Sequence, residues 1–488
     1  MITVRPKIDY DCDVLIVGGG PAGSGLAFHL ASKGIKVIIV EAGVFPRDKI
    51  CGDGVSPIAL AELEKMGITG TQKFKKANEI KKVGLFLKDS KAFIDLSKPD
   101  NLPFHARIIP RIELDNWIYE AAKKAGATYI QGTRVINYSI TSNLALVELK
   151  DADKIFSLKA KLIVGADGSN STIARKLHDR KPQDDYQLLG LRAYYKNVNG
   201  PRDRVDIYFN EGGFPGIFWM FPKGENGANI GIAMISKTFP HKPPHIKDLL
   251  MTHISNNPDI LERIGPGEIE GKIDGWPITF FNAKQKIVDD RLMLVGEAAG
   301  LINPLSGDGI QYALISANWA SKTIEKCVKT HDFSSEALDA YTKQVNQNVG
   351  YDFALSDLLV QFPRNKSFTK VWMTILTVMI ERAKTDKQYA DIVAGIFEGT
   401  YPSYKALTGD FIIKSLKQGG IEIGKALANS LINPSDTINT SIEVTQQLFK
   451  LIEDLKAHPK AHLNWAGDTA TKVFTVAKHV AKSNSIAK

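Results

Sequence analysis

The stretch "DVLIVGGGPAGSGLAFHLASKGIKVIIVEAG", Asp13 to Gly43, sets a branched apolar run against spaced glycines, a helical pattern and a second apolar run that ends in an acid. "DVLIVG" predicts a buried strand, "AGSGLAFHLASKG" a helix and "KVIIVEAG" a second strand. Each glycine costs folding entropy, so a cluster of them asks for a reason. Gly18, Gly20 and Gly23 form G-x-G-x-x-G after a strand and at the opening of a helix, the context in which that pattern carries information. Gly18 lets the chain turn tightly, Gly20 leaves room for a pyrophosphate, and Gly23 lets helix and strand pack closely. The helix N-terminus adds free N–H groups and a partial positive charge for the phosphates. Glu41 closes the second strand about twenty residues on, where a carboxylate accepts hydrogen bonds from both ribose hydroxyls and repels a 2′-phosphate. A dinucleotide of the FAD or NAD kind fits such a turn better than NADP does.

The strand and helix alternation continues to about residue 180. "RIELDNWIYEAAKKAG" predicts a helix and "ATYIQGTRVINYSI" strands. "LIVGADGSNSTIARK", Leu162 to Lys176, is a strand ending at Asp167 and Gly168, then a polar turn and a helix carrying Arg175. "RLMLVGEAAGLINPLSGDGIQYALISANWAS", Arg291 to Ser321, is a strand, then Gly296 and Glu297, then a Gly/Pro-bounded loop and a helix. Gly307, Asp308 and Gly309 just precede that helix, so backbone N–H groups there face a ligand. From about 185 to 285 aromatic-rich alternating runs such as "DRVDIYFN" and "GIFWMFPKG" predict strands, and 340 to 488 is mostly helical in pattern. The expected fold class is α/β. A Rossmann-type nucleotide-binding domain spans 1–180 and resumes at 286–340, around an inserted β-rich substrate domain at 181–285, with a helical region at 341–488.

Composition narrows the partners. The 488 residues, 44% hydrophobic and 24% charged, fit a globular chain of two or three domains. The net charge of +9 is spread along the chain, which reads as a solvated basic surface or as attraction to an anionic ligand or membrane. There is no compact basic block interleaved with aromatics, so nucleic acid is not an expected partner. Cys12, Cys51 and Cys327 are few and far apart, which argues for a reducing compartment without disulfides, and no spacing suggests a metal site. "MITVRPKIDYDCD" has no apolar core of a secretory signal, so a cytoplasmic location is expected. "VWMTILTVMI", Val371 to Ile380, is too short at about ten residues to span a bilayer and reads as a core or amphipathic helix. "FIIKSLKQGGIEIGKALANSLI" is amphipathic with spaced lysines, and either covers a core or lies against a membrane.

With three separated motifs in this order, the chain resembles the FAD-dependent oxidoreductases and monooxygenases of the para-hydroxybenzoate hydroxylase-like group. The resemblance implies that Asp167 and Gly168 touch FAD pyrophosphate and ribose. It implies that Glu297, where the family has Asp, reaches toward the ribityl chain beside Gly296. Pro304, Gly307, Gly309 and Ile310 would lie by the isoalloxazine, and Arg111 on the flavin side. Further implied cofactor contacts are Pro21, Ala22, Gly52 and Val135. "FPRDKICGDGVSP" and "PGIFWMFPKGENGANIGIAM" look like the geranylgeranyl reductase branch, whose motifs are K-x-C-G and Y-x-W-x-F-P-K. Ile217 replaces the tyrosine, while Trp219, Phe221, Pro222 and Lys223 match.

On a strand Ile217, Trp219 and Phe221 share one face, which is either ordinary sheet core or, as the resemblance implies, the wall of an apolar pocket. Cys51 lies beside Lys49, which can lower a thiol pKa, but has no neighbouring histidine. It is expected to line the pocket and touch the cofactor, with the proton of a reduction coming from solvent or from Cys51, and with Trp219 as the second pocket residue. The implied activity is flavin-dependent reduction of carbon–carbon double bonds in an isoprenoid-like apolar or lipid substrate. NAD(P)H or another reductant would supply the electrons, and peripheral membrane contact would suit such a substrate. Two alternatives stay open. One is a monooxygenase or halogenase, although W-x-W-x-I-P is absent and "GWPI" at 275–278 is only a partial echo. The other is a flavoprotein that binds and matures a partner protein.

Overall fold

The computed structural model describes residues 9–179, 186–238, 245–402, 453 and 456–486. The amphipathic stretch at 411–432 lies outside these residues. The first sheet is built on β1 (Cys12–Val17), whose Val14, Leu15 and Ile16 are wholly buried. Burial on both faces explains the unbroken apolar run, as parallel strands covered by helices require. β1 pairs in parallel with β2 (Val37–Glu41) on one side and β11 (Ile155–Gly165) on the other. β8 (Thr128–Gln131) extends the parallel run beyond β2, and β18 (Leu292–Leu294) extends it beyond β11. β17 (Val288–Asp289), β9 (Arg134–Ile140) and β10 (Ala145–Lys150) add antiparallel strands.

Strand register places the ligand-facing loops. Val17 lies opposite Val40 on β2 and Gly165 on β11, and Gly165 lies opposite Leu294 on β18. The glycine-rich turn, Glu41, Asp167 and Glu297 therefore leave neighbouring strands at one carboxyl edge, where open α/β sheets bind ligands. Gly18 has φ +98°, and a Cβ on it would stand 2.4 Å from the Ala166 carbonyl oxygen. A Cβ on Gly23 would stand 1.9 Å from the Gly18 oxygen. α1 (Pro21–Ala31) can dock on β1 only because both positions are bare. α4 (Arg111–Lys124) and α8 (Ile310–Thr330) pack against α1.

The second sheet runs in the order β16 (Glu268–Thr279), β12 (Gln187–Lys196), β15 (Gly227–Ile235), β14 (Gly216–Lys223), β13 (Arg204–Phe209), β5 (Lys82–Leu87) and β6 (Ser90–Asp95). It is antiparallel apart from the parallel β13–β5 pair. The β5–β6 hairpin comes from inside the segment 1–180, so that segment does not stay within one sheet. Its apolar side chains Val83, Leu85 and Ile94 are buried in a cluster with β13 and β14 of the second sheet, which supplies the cover a lone hairpin lacks. A small sheet of β3 (Gly54–Val55), β4 (Asn78–Glu79) and β7 (Arg107–Ile108) joins the two halves. Beside it stand α2 (Pro57–Lys65) and α3 (Gln72–Lys76), while α5 (Thr172–Leu177) comes after β11.

One face of the second sheet is covered by α6 (Ile246–Asn256) and α7 (Pro258–Ile264), whose Leu250 and Ile260 pack with Phe218 and Met220 of β14. The helical region divides between the sheets. α9 (Ser335–Val345) and the start of α10 (Tyr351–Gln361) join the first core through Tyr341, Val345 and Phe353. α11 (Thr369–Ala383), which contains the "VWMTILTVMI" run, and α12 (Lys387–Glu398) cover the other face of the second sheet. α13 (Pro459–Ile486) packs on α10, with Trp465 Nε1 donating to the Gln361 carbonyl at 3.0 Å. Among the described residues, no helix is long and apolar enough to cross a membrane.

The glycine geometry makes a direct prediction. Gly23→Ala should lower stability by about 3 kcal/mol, the upper range for overpacking. Gly34→Ala, at φ +75° with open space around it, should cost only the left-handed strain of about 1 kcal/mol. Equilibrium denaturation of both variants checks this; equal losses would contradict the packing role of Gly23.

Candidate active site

A cavity of about 1980 Å³ runs from the carboxyl edge of the first sheet, past the loop at 49–54, into the space between the second sheet and α11–α12. Gly18, Gly20, Pro21, Ala22, Glu41 and Val135 line one end. Asp167, Gly168, Arg111 and Glu297 come next. Cys51 and Gly52 border the middle, as do Pro304, Gly307, Gly309 and Ile310. Gly23 and Gly296 do not line it. Gly296 has φ +56°, and a Cβ there would stand 2.7 Å from the Ala22 Cβ, so this glycine serves packing rather than ligand contact.

The dinucleotide end has the shape and chemistry FAD needs. A Cβ on Gly20 would meet no atom within 4 Å, so a methyl there would stand in the cradle itself. Neither α1, capped by Gly20, nor α8, capped by Gly309, receives a side-chain cap, and both N-termini border the cavity. Apart from the Gln311 N–H, which donates to Asp308 Oδ1 at 3.4 Å, the free N–H groups at these two helix starts suit phosphate and flavin oxygens. Asp308, between Gly307 and Gly309, has a buried Oδ2 without a hydrogen-bond partner, and burial pushes its carboxyl up to about 7.

Glu41 differs from expectation. Its carboxylate accepts the Gly19 and Gly43 N–H groups at 2.7 and 2.8 Å and the Arg47 Nε and Nη2 donors, each at 3.1 Å. Four donors occupy the acceptor capacity of one carboxylate. Glu41 thus shapes the turn and carries a guanidinium, which blunts its repulsion of a 2′-phosphate. Arg47 continues to Asp115 at 3.0 Å, and Asp115 takes a two-pronged bond from Arg111 at 2.6 and 2.8 Å. Asp167 likewise turns inward, accepting from the Ser171 hydroxyl and, at 2.7 Å, the Thr172 N–H at the start of α5. Glu297 accepts the Thr279 N–H at 3.1 Å, and burial raises its pKa against the pull of Lys49.

The middle of the cavity holds Cys51 in a buried polar network. Asn229 donates from Nδ2 to the Cys51 carbonyl at 2.7 Å and to Asp53 Oδ2 at 2.8 Å, and accepts from Trp219 Nε1 at 2.9 Å. Tyr194 donates to Asp53 Oδ2 at 2.7 Å, and the Arg111 N–H to Asp53 Oδ1 at 3.2 Å. Burial lifts the Asp53 carboxyl to about 6 despite these donors. Burial also raises the Cys51 pKa, with Arg111 opposing, so the thiol keeps its proton at neutral pH. The lowering expected from Lys49 does not prevail. That ammonium lies 3.9 Å over the Trp276 ring, and burial depresses its own pKa to about 8. Trp276 is fixed by donating to Ser169 Oγ at 2.7 Å.

Beyond Cys51 the cavity turns apolar. Ile217, Trp219 and Phe221 share its β14 wall, and Trp372, Met379 and Phe397 face it from α11 and α12. Glu398 is the carboxyl of this arm; burial pushes it up to about 7, with 3.4 Å contacts from the Ala106 N–H and Thr400 hydroxyl. Sequence reasoning does not single out Arg47, Asp53, Tyr194, Asn229 or Trp276. Asn229, a polar side chain inside the apolar run "GANIGIAM", carries the one readable signal, since a buried amide needs partners.

A parallel nucleotide-binding sheet and an antiparallel second sheet, with one cavity between cofactor cradle and apolar arm, define a flavin-dependent oxidoreductase. The FAD binding domain family matches residues 11–349, and the chain belongs to that family. It is 27% identical over 366 residues to the menaquinone reductase of Mycobacterium tuberculosis, covering 73% of this chain and 86% of that one. It is 28% identical over 341 residues to the digeranylgeranylglycerophospholipid reductase of Thermoplasma acidophilum, covering 69% and 83%. In fold it resembles a geranylgeranyl bacteriochlorophyll reductase-like structure from Thermoplasma acidophilum, with TM-score 0.62 and 24% identity over 86% of this chain and 98% of that one.

Two outcomes are expected. Gly20→Ala should keep the thermal midpoint of the native protein but weaken FAD binding about tenfold or more, read by flavin fluorescence titration. Asp308 has a raised folded pKa, so its ionisation costs stability as pH climbs from about 4 toward about 7 and the cost then levels. Asp308→Asn should therefore raise the melting temperature by a few degrees at about pH 8 and by less at about pH 5. A gain that shrinks as pH rises would contradict that assignment.

Proposed function

We propose that this protein reduces carbon–carbon double bonds in the isoprenoid-like chain of a lipid or quinone substrate held in the apolar arm. The observation that carries this reading is the continuity of the cavity from Gly20, through Cys51, to Phe397. The names of the reductase relatives, which refer to lipid and quinone substrates, point the same way. FAD, when bound and reduced by two electrons, would supply the hydride such a reduction needs. Gly20, the two helix N-termini and Glu297 would hold it, while Trp219, Ile217 and Phe221 would orient the chain. α11 and α12 keep water from the apolar arm. After hydride adds to one carbon, its neighbour needs a proton, and the protonated Cys51 thiol suits that need. The S–H bond breaks, a C–H bond forms, and the thiolate regains its proton from water. NAD(P)H or another two-electron donor would restore the reduced cofactor. A lipid substrate also favours contact with a membrane surface during loading.

The test uses yellow holoenzyme reduced with dithionite without oxygen and given digeranylgeranylglycerophospholipid or, separately, menaquinone. Product is analysed by mass spectrometry after return to air. A product two hydrogens heavier that survives air supports double-bond reduction, because a quinol would reoxidise. Only an air-sensitive quinol, or no change in either compound, would overturn the proposal.

A further inference from the structure

We infer that Asn229, together with Asp53, is a positioning residue that ties the Trp219 wall to the Cys51 turn and so sets where the thiol stands over the substrate. This rests on the reading of Cys51 as the proton source. Asn229 and Asp53 are both wholly buried. The Asn229 amide has its oxygen on Trp219 Nε1 and its nitrogen on the Cys51 carbonyl and Asp53. A flipped amide would face two acceptors with its oxygen, so the three contacts fix one orientation. Asp53 sits at φ 65°, a conformation a non-glycine residue keeps only when its surroundings hold it. Tyr194 of β12, Asn229 of β15 and the first N–H of α4 all donate to its carboxylate.

The wall itself has little slack. Trp219 lies opposite Gly231, where a Cβ would reach the indole Cζ2 at 2.2 Å. Gly52 rests on Phe221, with a Cβ position 3.3 Å from that ring. The turn carrying Cys51 is flanked by Gly52 and Gly54 and would be free to shift without these ties. Its anchor is instead a strand of the substrate wall. Thiol and apolar chain are thereby referenced to the same rigid sheet, as transfer to a carbon requires, since a displacement of about 1 Å can cost about a hundredfold in rate.

The experiment compares holoenzymes carrying Asn229→Ser, Trp219→Phe and Cys51→Ala, with digeranylgeranylglycerophospholipid as probe in deuterium oxide. Trp219→Phe keeps an aromatic ring in the wall while removing the indole N–H that orients the amide, so it serves if Asn229→Ser does not fold. Asn229→Ser and Trp219→Phe should keep native flavin content and dithionite reduction rate. Their kcat should fall about ten- to a hundredfold with KM little changed, and at the carbon that receives the proton deuterium should enter from both faces rather than one. Native turnover and labelling in Cys51→Ala would remove the thiol reading on which the inference rests. A slow Cys51→Ala beside native kcat and one-faced labelling in both other variants would leave the thiol reading standing and overturn the positioning role. Lost flavin, or a change in KM alone, would overturn it as well.

Discussion

Four parallel strands that end level with one another hold this site together. Val17, Val40, Gly165 and Leu294 lie in one register, so three loops and an acidic residue distant in sequence leave the sheet side by side. The register in turn depends on two contacts that admit no side chain, Gly18 against Ala166 and Gly23 against Gly18. Were helix α1 held further from β1, its uncapped N-terminus would no longer point into the cradle. The buried faces of β1 and β11 supply the hydrophobic drive, while the glycines convert it into a geometry that receives phosphates.

The second sheet turns this cradle into a reaction chamber. Its β14 wall and the α11–α12 cover extend the cavity with apolar surface, and its buried polar side chains reach back to the loop at 49–54. Charges are buried at this seam in pairs: Arg111 and Arg47 on Asp115, and Arg47 on Glu41. Taking such groups from water is costly, and their mutual hydrogen bonds offset most of that cost. What the pairs contribute is orientation. They hold Arg111 and the Glu41 turn at set positions along the cofactor end, and the thiol beside them stays protonated because its partial burial disfavours the thiolate.

Much of the cofactor end was legible because it obeys local rules. Glycine spacing, the strand before it and the acid after it are all set within about thirty residues, and the other two motifs repeat the strand-then-loop pattern. The misreadings share one cause. Arg47 is six residues from Glu41, yet nothing local says that its guanidinium folds back on that carboxylate. Lys49 stands two residues from Cys51, yet it lies on Trp276 of β16, and burial outweighs any lowering of the thiol pKa. Gly296 resembles a ligand glycine, but α1 and α8 crowd it from both sides.

The amino-acid sequence alone determined the Rossmann-type unit, the dinucleotide cradle and the apolar face of β14, because periodicity and glycine placement act over a few residues. Tertiary structure decided which charges pair, that the 82–95 hairpin serves the second sheet, and that Asn229 joins Trp219 to the Cys51 turn. Those features depend on distances between strands far apart in the chain, and the free energy of a buried charge or amide is set by whichever neighbour the fold brings within about 3 Å.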